Sequence, residues 1–371
     1  MATTVGEILD RLTREGELYT KLEDKALRCF ACGHRCLIRN GRRGVCQVRF
    51  NKEGKLFVPW GYVAALQVDP IEKKPFFHVL PGANALTFGM LGCDFHCDFC
   101  QNHVSSQAMR DPSSDIAISY LRRISAEQIV EVAKKSGAQV IASSYNEPLI
   151  TSEWAVGIFK LSKNIGLKCV YISNGNATPE VLNYLRPYLS AYKIDLKTMQ
   201  DREYRKMGGV LRNVLESIQR AHDLGLWVEV VTLVVPGLND STEELMDAAH
   251  FIYSVSADIP WHVTAFHPDY KMTTASPTSI KTLIRAAEIG QEAGLRHVYA
   301  GNIPGRVGDY ESTYCAQCQT LLVERFSYTI QRYHLTAHGT CPKCNSSIAG
   351  IWSIETGLEN MDGNGLPWPI Y

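Results

Sequence analysis

The stretch Cys93-Asp94-Phe95-His96-Cys97-Asp98-Phe99-Cys100 sets three cysteines at C-x3-C-x2-C spacing, with no fourth cysteine close behind. Three thiolates hold three irons of a cubane cluster and leave the fourth iron open to a ligand. An open iron at low potential binds and reduces another molecule, so this spacing reads as a catalytic metal site. A zinc site completed from elsewhere in the chain is the plain alternative.

Outward from that stretch the chain alternates short β-rich runs with helical segments. Strands are expected at 85–90, 139–144, 168–173, 190–196, 227–234, 262–266 and 297–300. Ser125 with Gln128 reads as a capping box and Gly137 as a stop. Thr178 before Pro179, and Ser241 before Glu243 and Glu244, mark two further helix starts. Residues 5–17 read as a leading helix, and 57–80 as strands and loops that lead into the central domain. Such alternation predicts an α/β fold whose parallel sheet is joined by right-handed crossovers. Chemistry in such folds gathers at the C-terminal strand ends, and the cysteine stretch follows the strand at 85–90 directly.

The next three strands end in polar segments. Tyr145-Asn146-Glu147-Pro148 offers acceptors, Ser173-Asn174-Gly175 small polar groups, and Asp195-Leu196-Lys197 both an acceptor and a cationic donor. Read without context, these are a loop and an ordinary strand-end ion pair. Asp69, Glu72, Lys73 and Lys74 lie just upstream of the cluster strand, as a solvated charge run, an active-site floor or a partner surface.

Eleven of the twelve cysteines fall into three tight groups, and only Cys169 stands apart, in an apolar run that suits a buried thiol. Cys29, Cys32, Cys36 and Cys46 suit either a structural zinc or a second iron–sulfur cluster. Cys315, Cys318, Cys341 and Cys344 form two C-x2-C knuckles, the ligand set of a zinc ribbon or a rubredoxin-type iron. Arg39, Arg42 and Arg43 in the first loop are read as solvated, with contact to an anionic partner as the alternative. A reducing compartment keeps such thiols free. The 371 residues carry 38 basic and 38 acidic side chains, which gives no reason to expect nucleic acid or an anionic membrane as partner. No apolar run is long enough for a bilayer and the N-terminus carries no signal pattern, so a soluble, cytoplasmic protein is expected.

The cysteine triad, with aromatic Phe99 before its last member, resembles the radical S-adenosylmethionine (radical SAM) enzymes. That resemblance implies a 4Fe–4S cluster on Cys93, Cys97 and Cys100. It also implies S-adenosylmethionine on the open iron, whose reductive cleavage yields a 5′-deoxyadenosyl radical that abstracts hydrogen. The fold implied is a partial (β/α)6-type radical SAM barrel. Tyr145 to Pro148 looks like the superfamily's turn that receives the methionyl amino group. Ser173-Asn174-Gly175 and Asp195-Leu196-Lys197 are similar to segments of glycyl-radical-enzyme activases such as the pyruvate formate-lyase activating enzyme. The likeness places Phe99, Asn146, Glu147, Ser173, Asn174, Asp195, Lys197 and His267 around the cofactor, and Val235 to Asp240 near its adenine. Ile172 stands where activases often carry an aspartate of a monovalent cation site, so that site is not expected. Asp69 to Pro75, Pro81-Gly82, Phe88-Gly89, Cys100-Gln101-Asn102, His267 to Met272 and Val298 to Asn302 resemble the AmmeMemoRadiSam-type group, over residues 29 to about 302.

The expected organisation is a cysteine-rich module and lead-in at 1–83, the barrel at 84–310 and a four-cysteine zinc-ribbon-like or rubredoxin-like module at 311–371. The resemblance implies an oxidoreductase fed by a reductant such as flavodoxin or ferredoxin. Its substrate is a glycyl radical enzyme partner or, alternatively, a small molecule, peptide or RNA. A non-catalytic metal scaffold is the reading from a different class.

Overall fold

The computed structural model describes residues 4–352 and the short strand Trp368–Pro369. Its centre is an open sheet in which seven strands run parallel: Asn84–Gly89, Val140–Ser143, Lys168–Ser173, Ala191–Asp195, Trp227–Val234, Trp261–Ala265 and Val298–Gly301, in that spatial order. Six of them are followed by a crossover helix and the seventh closes the series, so the chain makes six βα units and one further strand. Val140–Ser143 and Trp261–Ala265 are buried at every position. Strands covered on both faces need no polar alternation, which is why these runs are so apolar.

The helix ends follow the expected chemistry. Ser125 and Gln128 form the reciprocal capping box on helix Ala126–Lys135, and Gly137 follows it with φ of +65°. Thr178 caps helix Pro179–Leu185, and Ser241 caps Thr242–Val255. No helix among the described residues is long and apolar enough to cross a membrane.

The leading helix is shorter than expected. It spans Val5–Asp10, and the chain then forms strand Thr13–Glu15 against Lys55–Pro59. Thr13 donates its hydroxyl to the Asp10 carbonyl at 2.8 Å, which satisfies a helix-end acceptor and turns the chain away. A side chain at Gly16 would come within 2.6 Å of Val58, so the backbone can lie flat on that strand. The lead-in also contributes strand Ala65–Pro70, which joins the main sheet antiparallel to Asn84–Gly89. Trp368–Pro369 pairs outside it, opposite Val68 and Gln67. This pair thus packs back on the main sheet; the other tail residues lie outside the described ones.

The N-terminal cysteine loops are pinned to the barrel by a buried ion pair. Arg49 donates two bonds of 2.7 Å to Glu153 on helix Ser152–Asn164, whose carboxylate also accepts the backbone N–H groups of Glu17 and Leu18. Both side chains are fully enclosed. The C-terminal cysteines sit in an antiparallel ribbon, Thr313–Tyr314, Leu321–Phe326 and Thr329–Tyr333, around its own small core of Leu322, Val323, Ile330, Leu335 and Ile348. A directed chain of hydrogen bonds ties the ribbon to the barrel. Arg325 donates to Thr313 (2.7 Å), whose hydroxyl lies 2.8 Å from that of Tyr299. Tyr299 bonds Nε2 of His78 at 2.7 Å, and Nδ1 of His78 donates to the Ala349 carbonyl at 2.7 Å.

Candidate active site

The cysteine loop leaves strand Asn84–Gly89 and is fastened on every side. Gln107 and Arg110 donate to the Phe95 carbonyl at 3.1 and 2.9 Å, and the His96 N–H donates to the Met207 carbonyl at 2.9 Å. The Asp94 carboxylate, fully buried, accepts from Asn174 and Asn176, each at 2.8 Å. Two sulfurs already have local partners: the Phe95 N–H lies 3.3 Å from Cys93 Sγ, and the Ser106 hydroxyl 3.2 Å from Cys100 Sγ. Burial pushes all three thiols up, Cys97 to about 12, so ligation of a metal there must expel protons.

Cys93, Cys97 and Cys100 open into a cavity of about 390 Å³. All seven parallel strands send residues to it from their C-terminal halves or the loops that follow. Phe99, Asn146, Glu147, Ser173, Asn174, Asp195 and Lys197 line the wall, as the resemblance implied. His267 does not. It lies outside the wall, exposed, with Nε2 2.9 Å from the side-chain nitrogen of Gln101, which does line the cavity. Asn239 of the expected adenine loop also stands back from the cavity, bonding the Lys197 and Leu233 carbonyls at 2.7 and 2.8 Å and so shaping two strand ends.

The individual groups divide into scaffold and free surface. Asn146 accepts the Met90 N–H at 2.9 Å and donates to the Glu147 carbonyl, which locks its turn to the cluster strand. Glu147 accepts from the Ser173 hydroxyl (2.7 Å), the Asn174 N–H (2.8 Å) and the Leu149 N–H (3.0 Å). Burial and the neighbouring Asp94 carboxylate raise the Glu147 carboxyl, while these donors pull it back. Burial also works to raise Asp195, but Lys193 and Lys197 outweigh it and hold the carboxyl at about 2. Lys193, Asp195 and Lys197 follow the period-two alternation of a strand, which puts all three on one face. Ile172 lines the cavity, an apolar residue where a cation site would need oxygen.

Reading the sequence missed part of this wall. Lys193 joins it, and a lysine inside a buried strand was the available signal. Lys73, Lys74 and Pro75 form one side, the active-site floor that is one of the readings of this charge run. Asp69 is buried and binds Lys73 at 2.8 Å and Lys74 at 2.5 Å, while Lys74 also reaches the Tyr145 hydroxyl at 3.0 Å. Burial lowers the Lys74 ammonium to about 8 against the pull of Asp69. Glu72 faces away and accepts the Gly82 N–H at 2.9 Å. Tyr328, between the last two ribbon strands, reaches the cavity from the C-terminal module; no local sequence signal announces that contact.

Among the described residues, only Cys315, Cys318, Cys341 and Cys344 bring their ligand atoms all within 4.8 Å of one another. Cys315 and Cys344 sulfurs are 3.6 Å apart, as are those of Cys318 and Cys341. With metal–sulfur bonds of about 2.3 Å, one tetrahedral ion sets its sulfurs about 3.8 Å apart, so these four sulfurs fit a single ion.

The profile of the radical SAM superfamily matches residues 88–249, the segment that carries the cysteine loop and the polar strand ends. The chain carries a radical SAM superfamily domain over these residues. Uncharacterized protein MJ0808 of Methanocaldococcus jannaschii is 38% identical over 338 residues, covering 90% of this chain and 98% of the relative. The pyruvate formate-lyase-activating enzyme of Staphylococcus epidermidis is 24% identical over 200 residues, covering 50% of this chain and 76% of that enzyme. Among solved structures, a domain of pyruvate-formate lyase-activating enzyme from Bacteroides vulgatus aligns with a TM-score of 0.38 and 17% identity, over 43% of this chain and 98% of that domain.

The radical SAM family implies a 4Fe–4S cluster and S-adenosylmethionine, and the residues present fit both. The triad is not drawn together as the single-ion group is, which suits the wider span of a cubane. The cavity beside it offers buried carboxylate, amide and ammonium groups rather than an apolar wall.

Proposed function

We propose that this chain is a radical SAM oxidoreductase that abstracts a hydrogen atom from a substrate held in the cavity at the C-terminal strand ends. One observation carries the reading: the three motif cysteines and the polar ends of the parallel strands open into one shared cavity. When bound, the cluster and S-adenosylmethionine supply a 5′-deoxyadenosyl radical. Cys93, Cys97 and Cys100 would hold three irons and leave one open. Lys197 and Lys193, both paired with Asp195, would receive a carboxylate, while Glu147, Ser173 and Asn174 hold the next strand ends in register. Phe99 contributes an aromatic face.

The same strand ends suit two substrates. A glycyl radical enzyme partner is the reading that the pyruvate formate-lyase-activating relative suggests. A small molecule or peptide end is favoured by the walls added from outside the barrel, Lys73 to Pro75 and Tyr328, which narrow the space left for a folded partner. Twelve free thiols suit a reducing, cytoplasmic setting and an external flavin or iron–sulfur reductant.

The test is anaerobic reconstitution followed by reduction and addition of S-adenosylmethionine. We expect formation of 5′-deoxyadenosine and a change in the electron paramagnetic resonance (EPR) of the reduced cluster, both lost in Cys93→Ala, Cys97→Ala and Cys100→Ala. A cluster spectrum indifferent to S-adenosylmethionine, with no cleavage product, would sink the proposal.

A further inference from the structure

The N-terminal cysteines gather without taking the geometry of a single-ion site. Cys29 donates its N–H to the Cys36 carbonyl at 3.0 Å across a hairpin, and Arg35 closes a turn onto the Cys32 carbonyl at 3.0 Å. The next loop folds back on them: the Val45 N–H points at Cys36 Sγ from 3.4 Å, and a Cβ at Gly44 would lie 3.5 Å from the same sulfur. Cys29, Cys32 and Cys46 are buried and Cys36 is half-buried. Yet no three of these sulfurs lie within 4.8 Å of one another, unlike the C-terminal group. A single tetrahedral ion needs sulfurs about 3.8 Å apart, whereas a four-iron cubane holds its cysteine sulfurs about 6 Å apart.

A second observation points to a ligand. Arg49 lies beside Cys29 and Cys46, and its Nε is buried with no acceptor among the described residues. Buried N–H groups find partners in nearly all folded proteins, and the sulfides of a cluster held by these cysteines would supply an acceptor. Arg49 therefore uses its two terminal nitrogens on Glu153 and keeps a third, buried donor without a partner among the described residues.

We infer that Cys29, Cys32, Cys36 and Cys46 bind a second 4Fe–4S cluster, fully ligated by protein and set against the catalytic loop. The contact between the two modules is direct. The Gly33 N–H donates to the Asn176 carbonyl at 2.7 Å, and His34 Nε2 donates to the carbonyl of Asp94, neighbour of Cys93, at 3.3 Å. A side chain at Gly33 would fall 2.3 Å from both Asn176 and Asn213, so the loop is seated as closely as a backbone allows. Cys36, the most accessible of the four, is flanked by exposed Leu37 and Val45. An external flavin or iron–sulfur protein would deliver one electron there, reducing the N-terminal cluster by one charge. Passing the same electron to the catalytic loop restores it.

The full-length chain with Cys93, Cys97 and Cys100 all replaced by alanine, reconstituted without oxygen, tests this. It should keep about four irons and four labile sulfides per chain, against about eight of each in the parent protein. Its EPR signal after reduction should ignore S-adenosylmethionine. Counting sulfide separates this cluster from a lone iron in the C-terminal module. In the parent protein, reduced twice, neighbouring clusters should broaden each other's EPR lines. Zinc in place of iron and sulfide at the N-terminal site overturns the inference, as does a parent protein with only four sulfides. An unbroadened sum of two spectra overturns the close seating. Failure of S-adenosylmethionine cleavage would leave these counts untouched, so this inference and the proposed activity fall separately.

Discussion

Gly89, the last residue of the strand that feeds the cysteine loop, lies close against the neighbouring strand end. A Cβ there would lie 2.7 Å from the Ser144 carbonyl oxygen and 2.9 Å from Tyr145 Cβ. Tyr145 itself holds φ of +70°, a conformation rare for a bulky residue. Its hydroxyl is gripped by Lys74 and Asp69, so the strained turn is held at both ends. Gly89→Ala should push this turn and its Asn146-Glu147 segment off the cysteine loop. Overpacking of this kind costs about 1–3 kcal/mol, readable as a lowered Tm of the iron-loaded protein and a weakened EPR response to S-adenosylmethionine. The sequence signalled Gly89 only through resemblance, because its partner lies more than fifty positions away. Lys193, by contrast, stood in plain view as a charge inside an apolar run and still went unassigned.

At the level of elements, the parallel strands were legible to within one or two residues because β-branched runs, glycine stops and capping residues all agree. The elements that escaped notice are held by long-range polar contacts. Glu229 interrupts the apolar run 227–238 for a reason visible only in three dimensions. It is buried and accepts the N–H groups of Phe77 and His78 and the side chain of Trp227, with His262 Nε2 2.6 Å away. The Arg49–Glu153 clamp spans 104 positions and has no local signature. Removing one partner of an enclosed pair strands the other charge. Glu153→Ala should therefore cost about 3–5 kcal/mol in denaturant unfolding, and should release the N-terminal loops to protease before the barrel.

Across the whole molecule, the C-terminal module and the barrel meet around a buried histidine pair. His78 and His297 pack with ring centres 4.4 Å apart, both buried. Burial lowers His297 to about 4 from 6.5 and pulls His78 down in the same direction. Between pH 6.5 and 4 the unfolded chain takes up protons that the folded chain refuses, so stability is lost as pH falls through that window and is complete above it. His297 alone accounts for about 3 kcal/mol over this range, measurable as a fall in unfolding free energy; a pH-independent value below 6.5 would refute the assignment. A metal held by the four ribbon cysteines would brace the ribbon. Cys341→Ser should remove one metal ion per chain and expose the ribbon to protease, while the cluster iron stays. Because Tyr328 would then leave the cavity wall, retention of substrates there should weaken while S-adenosylmethionine cleavage persists.

Among the described residues the central sheet stays open: one edge is Val298–Gly301, the other Trp368–Pro369. The ribbon docks on the first of these edges through Tyr299 and sends Tyr328 to the cavity from outside the barrel. A staved vessel with a gap can be refitted without touching its other staves. Sequence drift in the ribbon can thus retune which molecules are admitted while the iron-holding loop stays as it is, so chemistry and clientele are free to evolve at different rates.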